Sequence, residues 1–246
     1  MTSPTPLEML NNELLAKLNE NDRLLLAPHM MSFELDRKDV LQSAGEEVVD
    51  TWFPCGSSLA SFQLWSEDGA RAVEVALIGR EGAIGGIVSN GSLPAYANAV
   101  VQVGGPFLRL KTVALEQAKL ESLTLRHWFA RYSDCLLAQV FQTSACNATH
   151  TIMERAAKWL LAAVARTRQP QVAITQEQLA ETLGVGRTFI ALVVRQLRDE
   201  GLITTSRGVI TIVNRSALQA KACHCTELIE NHYDIVLHGI YPQDGR

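Results

Sequence analysis

Residues 174–203 read ITQEQLAETLGVGRTFIALVVRQLRDEGLI, and the fold turns on this stretch. Thr175, with Gln178 three residues on, makes a capping box that opens a short helix with Leu179, Ala180 and Leu183 on its inner face. Gly184 supplies a turn and Val185 packs into it. A second helix repeats Ile190, Val193, Val194 and Leu197 at the i, i+3, i+4, i+7 spacing of a buried face, and Gly201 stops it. Two helices about a tight turn, with the small Ala180 where they cross, predict a helix-turn-helix. Leu202 to Thr205 and Val209 to Ile212 then flank Ser206-Arg207-Gly208, which predicts a two-stranded wing with Arg207 at its tip.

The other face of the second helix shows Arg187, Thr188, Ala191, Leu192, Arg195 and Arg198. A helix-turn-helix presents the N-terminal half of its second helix to base edges in the major groove while neighbouring residues hold phosphates. The DNA-facing candidates are therefore Arg187, Thr188, Ala191, Leu192 and Arg195, with Arg207 on the wing and Thr175 and Gln176 at the start of the first helix. Charge points the same way. The 246 residues carry a net charge of -4, but residues 150–215 hold 9 basic and 5 acidic side chains, against 11 and 17 in residues 1–149 and 2 and 4 in residues 216–246. Positive charge collects in the segment that would meet phosphates.

Working outward, Leu123 to Arg168 is a long helical stretch, interrupted near Ser144 to Thr149, and Arg168-Gln169-Pro170 ends it. Its apolar stripes are Leu136, Val140 and Phe141, then Met153, Ala156, Ala157, Leu160, Leu161 and Val164. Such a helix needs a second surface, either the protein's own β domain or the same helix of a second subunit. The dimer reading uses Leu137, Val140, Phe141, Met153, Ala157, Leu160, Leu161 and Val164. Before it, Met30 to Leu110 is broken into short β-branched runs, 47–53, 58–65, 72–78, 95–103 and 106–110, with a turn at Glu67-Asp68-Gly69, and Val113 to Leu120 starts a helix. Leu7 to Leu26 reads as a helix in two pieces ended by Pro28. Gly79, Gly82, Gly85 and Gly86 crowd together, packing backbone either on neighbouring strands or on a ligand. This divides the chain into 1–122, 123–168, 169–215 and a helical extension, 216–246.

Composition, 47% hydrophobic and 20% charged, fits a globular chain, and no apolar run approaches the roughly 20 residues that span a bilayer. Cytoplasmic is the default expectation. No nucleophile elbow, phosphate loop or zinc-protease motif appears, so no catalytic residue is expected. Five cysteines, at 55, 135, 146, 223 and 225, fit no disulfide framework. Cys223-His224-Cys225 has a spacing shorter than usual for a metal site and no second cysteine pair, while His150 and Glu154 lack a third ligand, so no metal is expected.

In this order, the pieces resemble the catabolite activator and fumarate/nitrate-reduction regulator (CRP/FNR) family of bacterial transcription factors. The resemblance covers roughly residues 20 to 215 and rests on Gly184 to Arg187, Leu197 to Ile203, and Ile78 to Gly86, IGREGAIGG. It implies an α+β chain: an N-terminal cyclic-nucleotide-binding-type β-roll (jelly roll), a long dimerisation helix and a C-terminal winged helix-turn-helix. The implied protein is a homodimeric, sequence-specific DNA-binding regulator on a palindromic operator, contacting RNA polymerase if it activates, with an unidentified effector in the β-roll. A small-molecule-sensing module acting through protein contacts is the alternative.

By this resemblance Arg187 holds the family's basic position, while Thr188 and Leu192 stand where Glu and Arg commonly read bases, so the operator should differ from the family's. Gly85 and Gly86, then either Ala95-Tyr96 or Tyr96-Ala97, fall where cyclic-AMP binders hold ribose and phosphate, and Trp65 is a further pocket candidate. Residues 87–98 contain no Arg or Lys, which disfavours cyclic AMP, and Leu93, Tyr96 and Trp65 would fill the pocket instead. A lone Cys55 in the N-terminal half disfavours an iron–sulfur cluster, and haem stays open, with His29, Met30, Met31 and His127 as candidate ligands.

Overall fold

The computed structural model describes residues 6–66, 72–87 and 93–241, so the expected turn at Glu67-Asp68-Gly69 lies outside the described residues. The N-terminal segment forms three short helices, α1 (Pro6–Met9), α2 (Glu13–Ala16) and α3 (Glu20–Leu26), rather than two pieces. Two asparagines cause the extra break. Asn12 accepts a hydrogen bond from Leu15 N and Asn19 one from Asp22 N, each capping a new helix.

Among the described residues seven strands follow: β1 (Met30–Leu35), β2 (Val40–Gln42), β3 (Asp50–Pro54), β4 (Leu59–Trp65), β5 (Ala72–Ile78), β6 (Asn98–Val103) and β7 (Gly105–Lys111). They make two antiparallel sheets, ordered β1-β7-β3 and β2-β6-β4-β5. Trp52, Ala60, Ile78, Val101 and Phe107 fill the space between them. The outer side of the first sheet is covered by the N-terminal helices together with α4 (Thr112–Glu121) and α5 (Leu123–Thr149), around Phe53, Leu110, Trp128 and Phe129.

Helix α5 is fastened to the β domain by polar groups on its buried side. Tyr132 OH donates to Ala83 O at 3.0 Å and accepts from Ala83 N at 2.8 Å, and Gln139 Nε2 donates to Leu77 O at 2.9 Å. The helix breaks at His150 and Thr151, just beyond the expected interruption, because Thr151 and Glu154 form a capping box that starts α6 (Ile152–Thr167) afresh.

Beyond this break α6 belongs to the C-terminal domain. Ala157, Leu160, Leu161 and Val164 are buried with Leu179, Leu183, Ile190 and Leu197, which corrects the assignment of these four positions to a subunit interface: the chain's own helices cover them. The stripe is amphipathic as expected; its partner is intramolecular. On α5, by contrast, Leu137 and Phe141 are exposed, at 49% and 64% of their surface.

The domain continues through β8 (Gln171–Ala173), α7 (Gln176–Leu183), α8 (Arg187–Asp199), β9 (Ile203–Ser206) and β10 (Val209–Ile212), with β8 adding an unexpected third strand in the order β8-β10-β9. The extension is two helices, α9 (Arg215–Gln219) and α10 (Cys225–Leu237), split at 220–224, where one helix was expected. Helix α10 lies along α5, and no helix among the described residues is long and apolar enough to cross a membrane.

Candidate nucleic-acid interface

The interface is built from the turn outward. Gly184 caps α7 at φ +65°, and Val185 N donates back to Ala180 O at 3.0 Å, closing the turn that angles α8 away. A side chain at Gly184 would be strained by that φ and would press on Val73 of β5, 3.1 Å from its methyl, so the turn rests directly on the β domain. From below, Arg155 of α6 donates Nη2 to Leu183 O at 2.5 Å and holds the end of α7. Sequence reasoning missed Arg155, since nothing in its spacing marks a buried arginine that serves a helix 28 residues away.

Helix α8 divides as its periodicity requires. Ile190, Val194 and Leu197 are buried and Val193 packs beside them. Arg187, Thr188, Leu192 and Arg195 are exposed and Ala191 is half-buried between them. Phe189 is exposed as well, to one side of this face, and was not among the expected DNA-facing residues. Arg195 and Arg198 both approach Asp199, at 3.6 and 3.5 Å, in solvent-exposed pairs worth little and readily exchanged for phosphate.

The wing is a two-residue hairpin. Ser206 pairs with Val209, leaving Arg207 and Gly208 as the loop, both at positive φ (+41° and +82°), and the Arg207 side chain is exposed. Thr175 caps α7 by accepting from Gln178 N and lies against the wing tip, its methyl 3.4 Å from where a Cβ on Gly208 would stand, while Gln176 is half-buried. The structure thus gathers Arg187, Thr188, Leu192, Arg195 and Arg207 as exposed side chains of one domain.

The expected effector residues are not gathered in this way. Tyr96 is 87% and Trp65 58% exposed, so they fill no interior pocket, and Leu93 is exposed too. Gly85 and Gly86 are close-packed on the chain itself: a Cβ would meet Asp50 O at 2.4 Å and the Thr112 side chain at 2.6 Å. The neighbouring Arg80 and Glu81 face α6. Arg80 Nη1 donates to Arg166 O at 2.7 Å, and Glu81 pairs with the Arg166 guanidinium. A cavity of about 340 Å³ lies beside this latch, lined by Glu13, Lys17, Arg80, Glu81, Arg166 and Tyr233 among others.

Residues 154–221 match the Crp-like helix-turn-helix domain. No curated protein matches the chain in sequence. Among solved structures, FixK2 from Bradyrhizobium japonicum superimposes with a TM-score of 0.67 at 16% identity, over 79% of this chain and 98% of that one. TTHB099, a CRP-family transcriptional regulator from Thermus thermophilus, gives 0.64 at 21% identity, over 77% and 96%. TTHA1359, a CRP/FNR-family regulator from the same organism, gives 0.58 at 17%, over 78% and 98%. Identities this low establish likeness of fold. Residues 154–221 are a Crp-like helix-turn-helix domain, carried on the fold of the CRP/FNR transcription regulators.

Proposed function

We propose that the protein is a homodimeric transcription regulator that reads a palindromic operator with α8 in the major groove. The observation that carries this is the division of α8: one face is sealed into the domain core, and the other offers Arg187, Thr188, Leu192 and Arg195 to solvent, with Arg207 on the adjoining wing. Arg187 at the start of the helix is the base reader, and Arg207 at the hairpin tip meets phosphate. Thr188 and Leu192 offer a hydroxyl and an apolar contact, so the operator differs from one read by Glu and Arg.

Dimerisation uses α5, whose exposed Leu137 and Phe141 stand one turn apart, with half-buried Val140 beside them. Burying this stripe against its twofold mate would set the spacing of two recognition helices, which must match one DNA turn of about 34–36 Å. Effector control, if exerted from the β domain, has a direct route to the helix-turn-helix through Val73 on Gly184. Selection of bound sequences from a random DNA pool, followed by affinity across a salt series, tests the reading. A selected palindrome and a steep salt dependence support it; salt-independent, sequence-indifferent binding would move the domain to the class of protein-contact modules.

A further inference from the structure

Four metal-type donors meet where α5 ends. Cys146 lies in its last turn and His150 caps it; Cys223 arrives from the segment between α9 and α10 and Cys225 is the first residue of α10, and the four ligand atoms all lie within 4.8 Å of one another. Two edges of the group are known individually. Cys146 Sγ to Cys223 Sγ and Cys225 Sγ to His150 Nδ1 are each 3.6 Å. A tetrahedral zinc ion, with sulfur at about 2.3 Å and nitrogen at about 2.0–2.1 Å, sets sulfur–sulfur edges near ~3.8 Å and sulfur–nitrogen edges near ~3.6 Å.

Two outer donors face the sulfurs. All three cysteines are buried and His150 is half-buried. Lys158 Nζ is 3.4 Å from Cys146 Sγ, and Gln142 Nε2 is 3.2 Å from Cys225 Sγ, so two outer donors point at the sulfurs. Three thiolates and a doubly charged ion carry a net -1, which the Lys158 ammonium offsets. Convergence within 4.8 Å encloses a single ion, whereas a porphyrin or a cluster of several irons needs its ligands spread around a larger body.

We propose that Cys146, His150, Cys223 and Cys225 bind one zinc ion tetrahedrally and so pin the C-terminal extension to the joint between α5 and the DNA-binding domain. Binding forms three zinc–sulfur bonds and one zinc–nitrogen bond, and the three thiol protons pass to solvent. The joint is the place where such a clasp would act. The α5–α6 break lies at His150 and Thr151, and five residues past His150, Arg155 holds the end of α7 through Leu183 O.

The test uses the full chain purified under reducing conditions, with metal content measured by mass spectrometry and the zinc-free protein titrated with cobalt(II). The expected result is about one zinc per chain. Cobalt(II) should give the intense visible bands of a tetrahedral site and a thiolate-to-cobalt charge-transfer band, both erased by added zinc. Cys223→Ser and Cys225→Ser should each weaken cobalt binding at least about tenfold, while Cys55→Ala leaves it unchanged. Should the serine variants fail to fold, the wild-type cobalt spectrum decides alone. A weak octahedral spectrum, zinc far below one per chain, or a metal-free chain carrying a Cys146–Cys223 disulfide would each overturn the proposal. None of these readouts involves DNA, so the outcome is independent of the proposed regulatory role.

Discussion

Glu81 Oε1 accepts from Arg166 Nε at 2.7 Å across 85 residues of chain, joining the glycine-rich loop of the β domain to the last turn of α6. Both side chains are mostly buried, so losing either partner strands the other. Glu81→Gln or Arg166→Met alone should cost about 3–5 kcal/mol, and the double variant clearly less than the sum, as read from urea unfolding. Additive losses would show that the two residues act separately.

Glu74 makes stability depend on pH. Its stem is partly exposed but one carboxyl oxygen is closed off from solvent, the other accepts from Trp159 Nε1 at 2.8 Å, and burial pushes the carboxyl up to about 7. A carboxyl raised in the folded state above its ordinary 4.5 stabilises fully below that value and loses this contribution as pH rises to about 7. Gln keeps the Trp159 hydrogen bond without the charge. Glu74→Gln should therefore match wild type near pH 4.5 and exceed it by about 1–3 kcal/mol above pH 7.5, measured by denaturant unfolding at both values. A difference that does not change with pH would disprove the assignment.

The two arginines proposed to meet DNA should fail differently. Arg187→Ala should cost about 1–3 kcal/mol and relax selectivity at one symmetric pair of operator positions. Arg207→Ala should weaken all sequences alike and lower the salt slope by about one for each phosphate it no longer neutralises. Fluorescence anisotropy across salt concentrations separates them. An Arg187 variant with unchanged affinity and selectivity would mean that another face of α8 enters the groove.

Helices α5 and α6 should also separate in their response to charge. Phe141→Glu, on the exposed stripe, should shift sedimentation towards the 27.0 kDa monomer while leaving the thermal midpoint of the folded chain nearly unchanged. Leu160→Glu, wholly buried beneath the helix-turn-helix, should unfold the C-terminal domain, since an unpaired buried carboxylate costs several kcal/mol. A stable monomeric Leu160→Glu would return that position to the subunit interface.

These contrasts mark how far the sequence could be read. Strand β5 was legible at both ends because Ala72–Ile78 is a self-contained β-branched run. Strand β1, MMSFEL, was not: its pairing partner β7 lies some 75 residues away and its composition fits several conformations. On α6, periodicity shows which face is buried but cannot say what covers it, which is why sequence alone places Leu160 against a second subunit. The cysteines are a similar case. Cys223 and Cys225 were weighed on their own spacing, while the residues that complete their group stand 77 and 75 positions earlier. The one available hint was that Cys146 and His150 are four apart at a helix end.

The extension carries a consequence for biosynthesis. Tyr241 donates its hydroxyl to Asp22 at 2.6 Å, 219 residues upstream, and its ring stands edge-on to Trp128 at 5.3 Å, while Arg131 reaches Val236 O at 2.8 Å. At an elongation rate of about 5–20 residues per second, the N-terminal helices leave the ribosome many seconds before this last segment exists. From the emergence of α5 until residues 225–241 follow, the flank of α5 that they cover stays bare for several seconds, a window in which a chaperone could engage it.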